Sequence, residues 1–307
     1  MEKIAKGELD QLYARALKDR MVTDLGIKDK GLYRAAEDDR LFYIDFFEGF
    51  FVLEDRGDIY SLRFSVENDL AEYYGSFESD DLSSESTEMA FRRRVLEMGV
   101  REMMEELDKP AVMEIAYSSK HPLLLSVSRI FQRAGFGCEI NRIRLRLNTE
   151  DMPEPMSEAP VHLIELGPED AKTALGSIKD SFDPIRGSLP LEEDLRIAAA
   201  EKRLMASISP EGEVLAVNYL SKRGSSSEIS HICVAENERR KGIGEALIRA
   251  VFDDQSCKSL RLWVNAENRS ARSFYSGLGF KDDGWRSDLL IYRVLTPMQK
   301  LIMRKLG

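Results

Sequence analysis

Between Glu228 and Phe252 the chain reads EISHICVAENERRKGIGEALIRAVF: a β-branched run, a short basic loop ending in Gly242-Ile243-Gly244, and an apolar helical repeat. No other segment narrows the fold as much. A strand that passes through a glycine loop directly into a helix belongs to layered α/β architecture. The glycines remove side chains that would block a ligand, and the free N–H groups of the new helix point outward with the positive end of its dipole behind them. A loop of this kind can cradle a diphosphate. Two common nucleotide patterns fail: a Rossmann fingerprint needs a third glycine where Leu247 stands, and GxxxxGK[ST] is absent.

Around this segment the periodicity predicts a helix over about Glu8–Ala36, strand structure over Leu41–Leu53 and Asp58–Val66, and an acidic, serine-rich loop (ESDDLSSESTE) opening a helix to about Leu107. A strand at Ala111–Tyr117, a helix at Pro122–Ala134 closed by Gly135, and a strand with alternating arginines at Glu139–Leu147 follow. Asn148–Pro160, with three prolines, reads as a linker. Beyond it the expected order is strand Val161–Leu166, helices between Pro168 and Arg203 broken near Asp183-Pro184, and strands at Leu204–Ile208 and Val214–Leu220. Then come strand Glu228–Val234, helix Gly244 to about Asp253, strand Leu260–Val264, helix Ser270–Gly277 and strand Asp288–Val294. Thr296-Pro297 looks like the start of a tail helix that packs on the domain.

The 307 residues suffice for two ordinary cores. A net charge of −10 argues against nucleic acid as a partner; it suits a cationic acceptor, but is equally the mark of an ordinary soluble surface. Cys138, Cys233 and Cys257 are scattered, with no metal-ligand spacing, and read as reduced thiols. No signal peptide and no long apolar window are seen, so the expectation is a cytoplasmic protein without membrane contact; a homodimer is compatible with it.

Arg239, Gly242 and Gly244 give the form R-x-x-G-x-G. Downstream, Asn268, Ala271, Arg272 and Tyr275 fall at helical spacing before Gly279-Phe280, giving N-x-x-A-x-x-x-Y…GF. Together these resemble motifs A and B of the GNAT superfamily of N-acetyltransferases. The resemblance covers residues 228–294 well and 161–227 by element order. It implies an acetyl-CoA-dependent enzyme that transfers an acetyl group directly to a primary amine of a small molecule or protein, with acetyl-CoA as cosubstrate. It also implies that coenzyme A is bound by Ile232, Cys233, Val234, Arg239, Arg240, Lys241, Gly242, Ile243, Gly244 and Glu245, with Asn268, Ala271 and Arg272 along it. The alternative is a non-catalytic acyl-CoA sensor or interaction protein on the same fold.

Acetyl transfer to an amine requires a proton acceptor for the amine, a donor to the oxyanion and a proton for the thiolate. Tyr275 suits the last role, because a phenol with pKa near 10 stays protonated at neutral pH. The resemblance supplies the oxyanion donor, a main-chain N–H near Cys233 or Val234 where two strands splay. Glu228 stands at the same interval before Gly242 as the general-base glutamate of histone-acetylating members. His231 and a water chain remain alternatives as base. Strand alternation puts Glu228, Ser230, Ile232 and Val234 on one side and His231 on the other. Trp263 and Trp285 read as core or as substrate wall.

The segment from Ser128 (SRIFQRAGFGCEINRIRLRL) resembles that from Arg272 (RSFYSGLGFKDDGWRSDLLIYRV), with Phe136 against Phe280. The expected fold class is therefore α/β with mixed sheets. It comprises two GNAT-like domains, each a twisted, mostly antiparallel sheet with flanking helices, in a tandem arrangement resembling double GNAT proteins of the mycothiol synthase kind. The expected boundaries are 1–150 for a degenerate domain, 151–160 for the linker and 161–307 for the catalytic domain. In the first copy Phe131 replaces Tyr275, Leu124 replaces Asn268, and no R-x-x-G-x-G precedes the helix. One working site per chain follows, with an acceptor cleft floored by the Asp183–Leu191 loop and walled by the first half.

Overall fold

The structure is a computed structural model that describes residues 2–3, 22–23, 41–46, 49–66, 98–101, 103–105, 107–118, 123–155, 161–253 and 256–294. The expected helices at Glu8–Ala36 and after Thr296, and the acidic serine-rich loop, lie outside the described residues. The chain divides into two compact units, one of Met1–Asn141 with Arg286–Gly307 and one of Arg142–Trp285.

The first unit contains β1 (Glu2–Lys3), β2 (Val22–Thr23), β3 (Leu41–Phe46), β4 (Gly49–Asp55), β5 (Tyr60–Val66), β6 (Ala111–Ser118), α1 (Leu123–Arg133) and the start of β7 (Gly137–Asn148). The strand expected over Leu41–Leu53 is thus two strands, because the chain reverses between Phe46 and Gly49, which pair across the antiparallel ladder. β4 and β5 are antiparallel, whereas β5 and β6 are parallel. The core joins Phe51, Leu53, Leu62, Met103, Met113, Ile115, Phe131 and Phe136 to Leu290 and Tyr292. At the end of α1 the Phe136 N–H donates to the Phe131 carbonyl (3.1 Å), and Gly135 takes φ +111°, a conformation that a Cβ would strain. The Phe131 and Phe136 rings then meet edge to face at 5.4 Å.

The same unit buries Asp288. Its carboxylate accepts hydrogen bonds from Ser128 Oγ (2.6 Å), Asn141 Nδ2 (2.7 Å) and the Tyr117 hydroxyl (3.2 Å). Burial, seconded by Asp288, pushes the Tyr117 phenol up to about 12. Three donors on one buried carboxylate tie β6, α1 and β7 together, since leaving any of them unpaired costs about 1–3 kcal/mol.

The second unit holds the rest of β7, β8 (Leu163–Glu165), α2 (Ala171–Ser181), α3 (Glu192–Ala200), β9 (Leu204–Ile208), β10 (Val214–Lys222), β11 (Ser226–Val234), α4 (Ile243–Asp253), β12 (Ser259–Asn265), α5 (Arg269–Gly277) and the start of β13 (Lys281–Tyr292). Its strand order is β7-β12-β11-β10-β9-β8. All neighbours are antiparallel except β11 and β12, which run parallel, so the unit is a mixed α/β fold. On one face Ile143, Leu145, Leu147, Leu260, Leu262 and Val264 pack with Ile248, Val251 and Tyr275 of α4 and α5. On the other, α2 and α3 bury Ala174, Ile178, Leu195 and Ala198 against Ala206, Val217 and Cys233.

The second unit begins at Arg142, and Arg142–Asn148 pairs along β12 from Asn265 to Ser259. One strand start differs from expectation: β13 begins at Lys281 and not at Asp288, and within it Asp283 accepts from Arg144 Nε (2.8 Å). Among the described residues no helix is long and apolar enough to cross a membrane, and no group of three or more metal-ligating side chains is found.

Candidate active site

The glycine loop is built as the sequence suggested. After β11 the chain makes a 3-10 turn at Glu236–Glu238, Arg240 and Gly242 take positive φ (65° and 83°), and α4 starts at Ile243. Among the described residues the main-chain N–H groups of Lys241, Gly242, Ile243 and Gly244 have no main-chain acceptor; the helix ladder begins with Ala246 donating to Gly242 (3.0 Å). Consecutive free donors behind a helix dipole fit a diphosphate. A Cβ on Gly244 would lie 3.2 Å from Phe274 Cζ and 3.7 Å from Val234 Cγ2. The start of α4 therefore abuts β11 on one side and α5, at the residue before Tyr275, on the other.

Several side chains near this loop are already committed. Arg239 Nε donates to the Val234 carbonyl (3.2 Å), and Lys241 pairs with Glu238. Glu245 is buried and bonded to Arg249 one turn along α4 (2.8 Å). Asn268 sits just before α5 as its N-cap, accepting from Ala271 N–H (3.0 Å), so it does not share the helix face of Tyr275 as the spacing suggested. Arg272 is exposed and donates to the Ala266 carbonyl (2.9 Å).

Tyr275 is buried, and its ring meets Phe280 at 5.4 Å while Phe280 N–H donates to the Tyr275 carbonyl (3.0 Å). Burial alone pushes its phenol up to about 12, so the hydroxyl keeps its proton throughout the neutral range. In that range it serves as a donor and not as a base.

β11 and β12 pair from Ser226↔Ser259 to Ile229↔Leu262, and the ladder stops there although both strands continue. At that point β11 carries a bulge: Tyr219 pairs with His231 and Leu220 with Ile229, leaving Ser230 as the extra residue. A bulge bends its strand. Beyond it Ile232, Cys233 and Val234 are not paired with β12, so the two strands splay at the level of Trp263.

The bulge also overturns the expected alternation. Ile229 packs with α4, and after the extra residue so do Ile232 and Val234, beside Ile243 and Leu247. Cys233 lies in the cluster with α2, and His231 is stacked on Tyr219 and meets Phe182 edge to face. Glu228, next to Ile229, therefore faces the same side as His231, not the opposite one. Cys233 is buried, and burial pushes its thiol up, so it is not a poised nucleophile.

His231 is also buried. Its Nε2 lies 2.9 Å from the Gly187 carbonyl, which can only accept, so Nε2 carries the proton and Nδ1 accepts from Ser230 Oγ (2.9 Å). Burial lowers its pKa, the Gly187 bond opposes this, and nearby Arg142 adds to the lowering. The ring is thus a neutral clamp on the loop between α2 and α3. Arg142 holds the same loop through the Arg186 carbonyl (2.7 Å). Ser230 and Gly187 carry no signal in the sequence, since neither the bulge nor the loop anchor has a local signature.

The family described as "Acetyltransferase (GNAT) domain" matches residues 191–300. The chain thus carries an acetyltransferase domain of the GNAT kind and is an acetyltransferase enzyme. Enzymes of this kind generally take acetyl-CoA as donor and an amine as acceptor. Among solved structures it is similar to a GCN5-related N-acetyltransferase from Sphaerobacter thermophilus (TM-score 0.56, 15% identity, 96% of this chain and 95% of that one). It is also similar to a tandem GNAT protein from the clavulanic acid biosynthesis pathway (0.55, 11%, 96% and 98%) and to a GNAT-family acetyltransferase from Colwellia psychrerythraea (0.53, 11%, 96% and 99%). At these identities the likeness is one of fold. No sequence among the curated proteins matches the chain.

Proposed function

We propose that the chain is an acetyl-CoA-dependent N-acetyltransferase acting by direct transfer to a primary amine. The observation that supports this is the close approach of Gly244 to both Phe274 and Val234, where a Cβ would stand 3.2 and 3.7 Å from them, at the end of β11 beyond its pairing with β12. In this reading the N–H groups of Lys241 to Gly244 hold the diphosphate of coenzyme A, assisted by Arg240, and the acyl end lies in the gap beside Ile232, Cys233 and Val234. Main-chain N–H groups freed there by the splay stabilise the oxyanion. Glu228 accepts the amine proton, since both nitrogens of His231 are engaged in clamping the loop. Tyr275 protonates the departing thiolate.

The reading extends to the division of labour. The catalytic part is the second unit, Arg142–Trp285, which starts earlier than the expected 161 and leaves Arg286–Gly307 to the first unit. The first unit is a degenerate copy of the same fold, without a glycine loop. Gly244→Trp tests the cradle: filling the contact with Phe274 is expected to abolish coenzyme A binding by calorimetry while the folded protein remains, and unchanged affinity contradicts the reading. Turnover of acetyl-CoA with an amine panel separates it from a sensor that binds without consuming acetyl groups.

A further inference from the structure

The face of the second unit that carries Glu228 and His231 is lined by arginine. On β7 the residues alternate: Ile143, Leu145 and Leu147 enter the core with α4 and α5, so Arg142, Arg144 and Arg146 point the other way. On β12, Leu260, Leu262 and Val264 enter that core, which leaves Arg261, Trp263 and Asn265 on the arginine side. Register places Glu228, Arg261 and Arg146 side by side on three adjacent strands, with Trp263 beside Arg144 in the next row.

These cations are not equally occupied. Arg144 is bound to Asp283 (2.8 Å), and its guanidinium lies over the rings of Trp263 (5.6 Å) and Trp285 (4.6 Å). Arg142 is spent on the loop. Arg261 has a buried Nε with no hydrogen-bond partner, and Arg146 is exposed; among the described residues neither is in an ion pair. A buried guanidinium N–H without an acceptor is costly, and a fork of N–H donors is matched by a planar or tetrahedral oxyanion.

Resting on the acyl-transfer reading, we infer that the acceptor carries an oxyanion, a carboxylate or phosphate, held by Arg261 and Arg146 beside Glu228, with its body against Trp263. The positive face stands out on a chain of net charge −10. The acidic composition, read by itself, suits a cationic acceptor, and this face selects against one: an amine with no anionic group meets arginines.

The chain has only two tryptophans, Trp263 and Trp285, both beside Arg144, so its fluorescence reports on this face without any turnover. The test titrates the full chain with inorganic phosphate and, separately, with acetate, against chloride at matched ionic strength. Saturable quenching by one of the two oxyanions but not by chloride is expected, and the responding ion tells phosphate from carboxylate. Arg261→Ala is expected to weaken that binding by about tenfold or more, the scale of one lost charged hydrogen bond. Arg146→Ala is expected to weaken it less, and coenzyme A affinity to stay unchanged in both.

Matched amines complete the test: amino acids against their amides, and phosphoethanolamine against ethanolamine, with the anionic member of one pair preferred and the preference lost in Arg261→Ala. No oxyanion-specific quenching, an unchanged response in Arg261→Ala, or preference for the neutral partner overturns the inference. Failure of coenzyme A to bind the unaltered protein would instead sink the underlying reading.

Discussion

The ends of α1 and α5 have the same backbone and opposite chemistry. Each closes through a glycine at positive φ, Gly135 and Gly279, and in each a phenylalanine N–H reaches back to an aromatic carbonyl, Phe136 to Phe131 and Phe280 to Tyr275. In each the two rings stand 5.4 Å apart. The difference is one hydroxyl and its surroundings. Phe131 is sealed against Phe51 and Phe136, with no exposed surface, whereas Tyr275 retains 9% and is neighbour to the glycine loop through Phe274. A repeated helix end can therefore serve as core in one place and present a proton donor in the other. What decides between them is the loop that packs against it.

The largest effect should come from deleting that hydroxyl. Tyr275→Phe is expected to lower kcat by about 10²-fold, in the range for lost general-acid assistance, with coenzyme A affinity nearly intact by calorimetry. An unchanged kcat would make Tyr275 a core residue like Phe131. The reciprocal change, Phe131→Tyr, is expected to confer no activity and to lower stability by about 1–3 kcal/mol in denaturant unfolding, because the new hydroxyl is buried without a partner. A neutral result would mean that the site around Phe131 still accommodates the polar group.

The smallest effect distinguishes the units by pH. His231 has a pKa lowered by burial, so below its ordinary 6.5 the unfolded chain binds more protons than the folded one. Its contribution to stability is present above that pH and is lost as pH falls through it, at no more than about 1.4 kcal/mol per pH unit. Hydrogen exchange should show the loosening around β11 and the loop between α2 and α3, and His231→Gln should flatten it. An equal response in α1 and β6 would assign the titration to other groups.

Most of this was legible in the sequence because it rests on local rules. The glycine loop, the helix closed by Gly279 and the alternation of β7 are set by neighbours along the chain. The failures share a different origin. Nothing in EISHICV marks Ser230 as an extra residue, since a bulge is defined by its partner strand β10, yet it decides which side Glu228 faces. The DDG at 282–284 has the composition of a turn and lies within β13, where Asp283 meets Arg144, a residue distant in sequence. Asn268 has the spacing of a face residue and the chemistry of a cap, and the cap prevails. The arginines of β7 were visible as a pattern, but only register with β12 sets Arg146 beside Arg261.

The division of the chain fixes an order of synthesis. The second unit is one uninterrupted stretch, Arg142–Trp285, whereas the first needs Arg286–Gly307 as well as its N-terminal residues. On the ribosome the second unit can be completed while the first unit still lacks its part of β13, the neighbour of β6. Until Arg286–Tyr292 emerge, β6 is open on the side away from β5, an edge on which nascent chains pair wrongly. Slow translation, or loss of Arg286–Tyr292, should thus harm the first unit before the second.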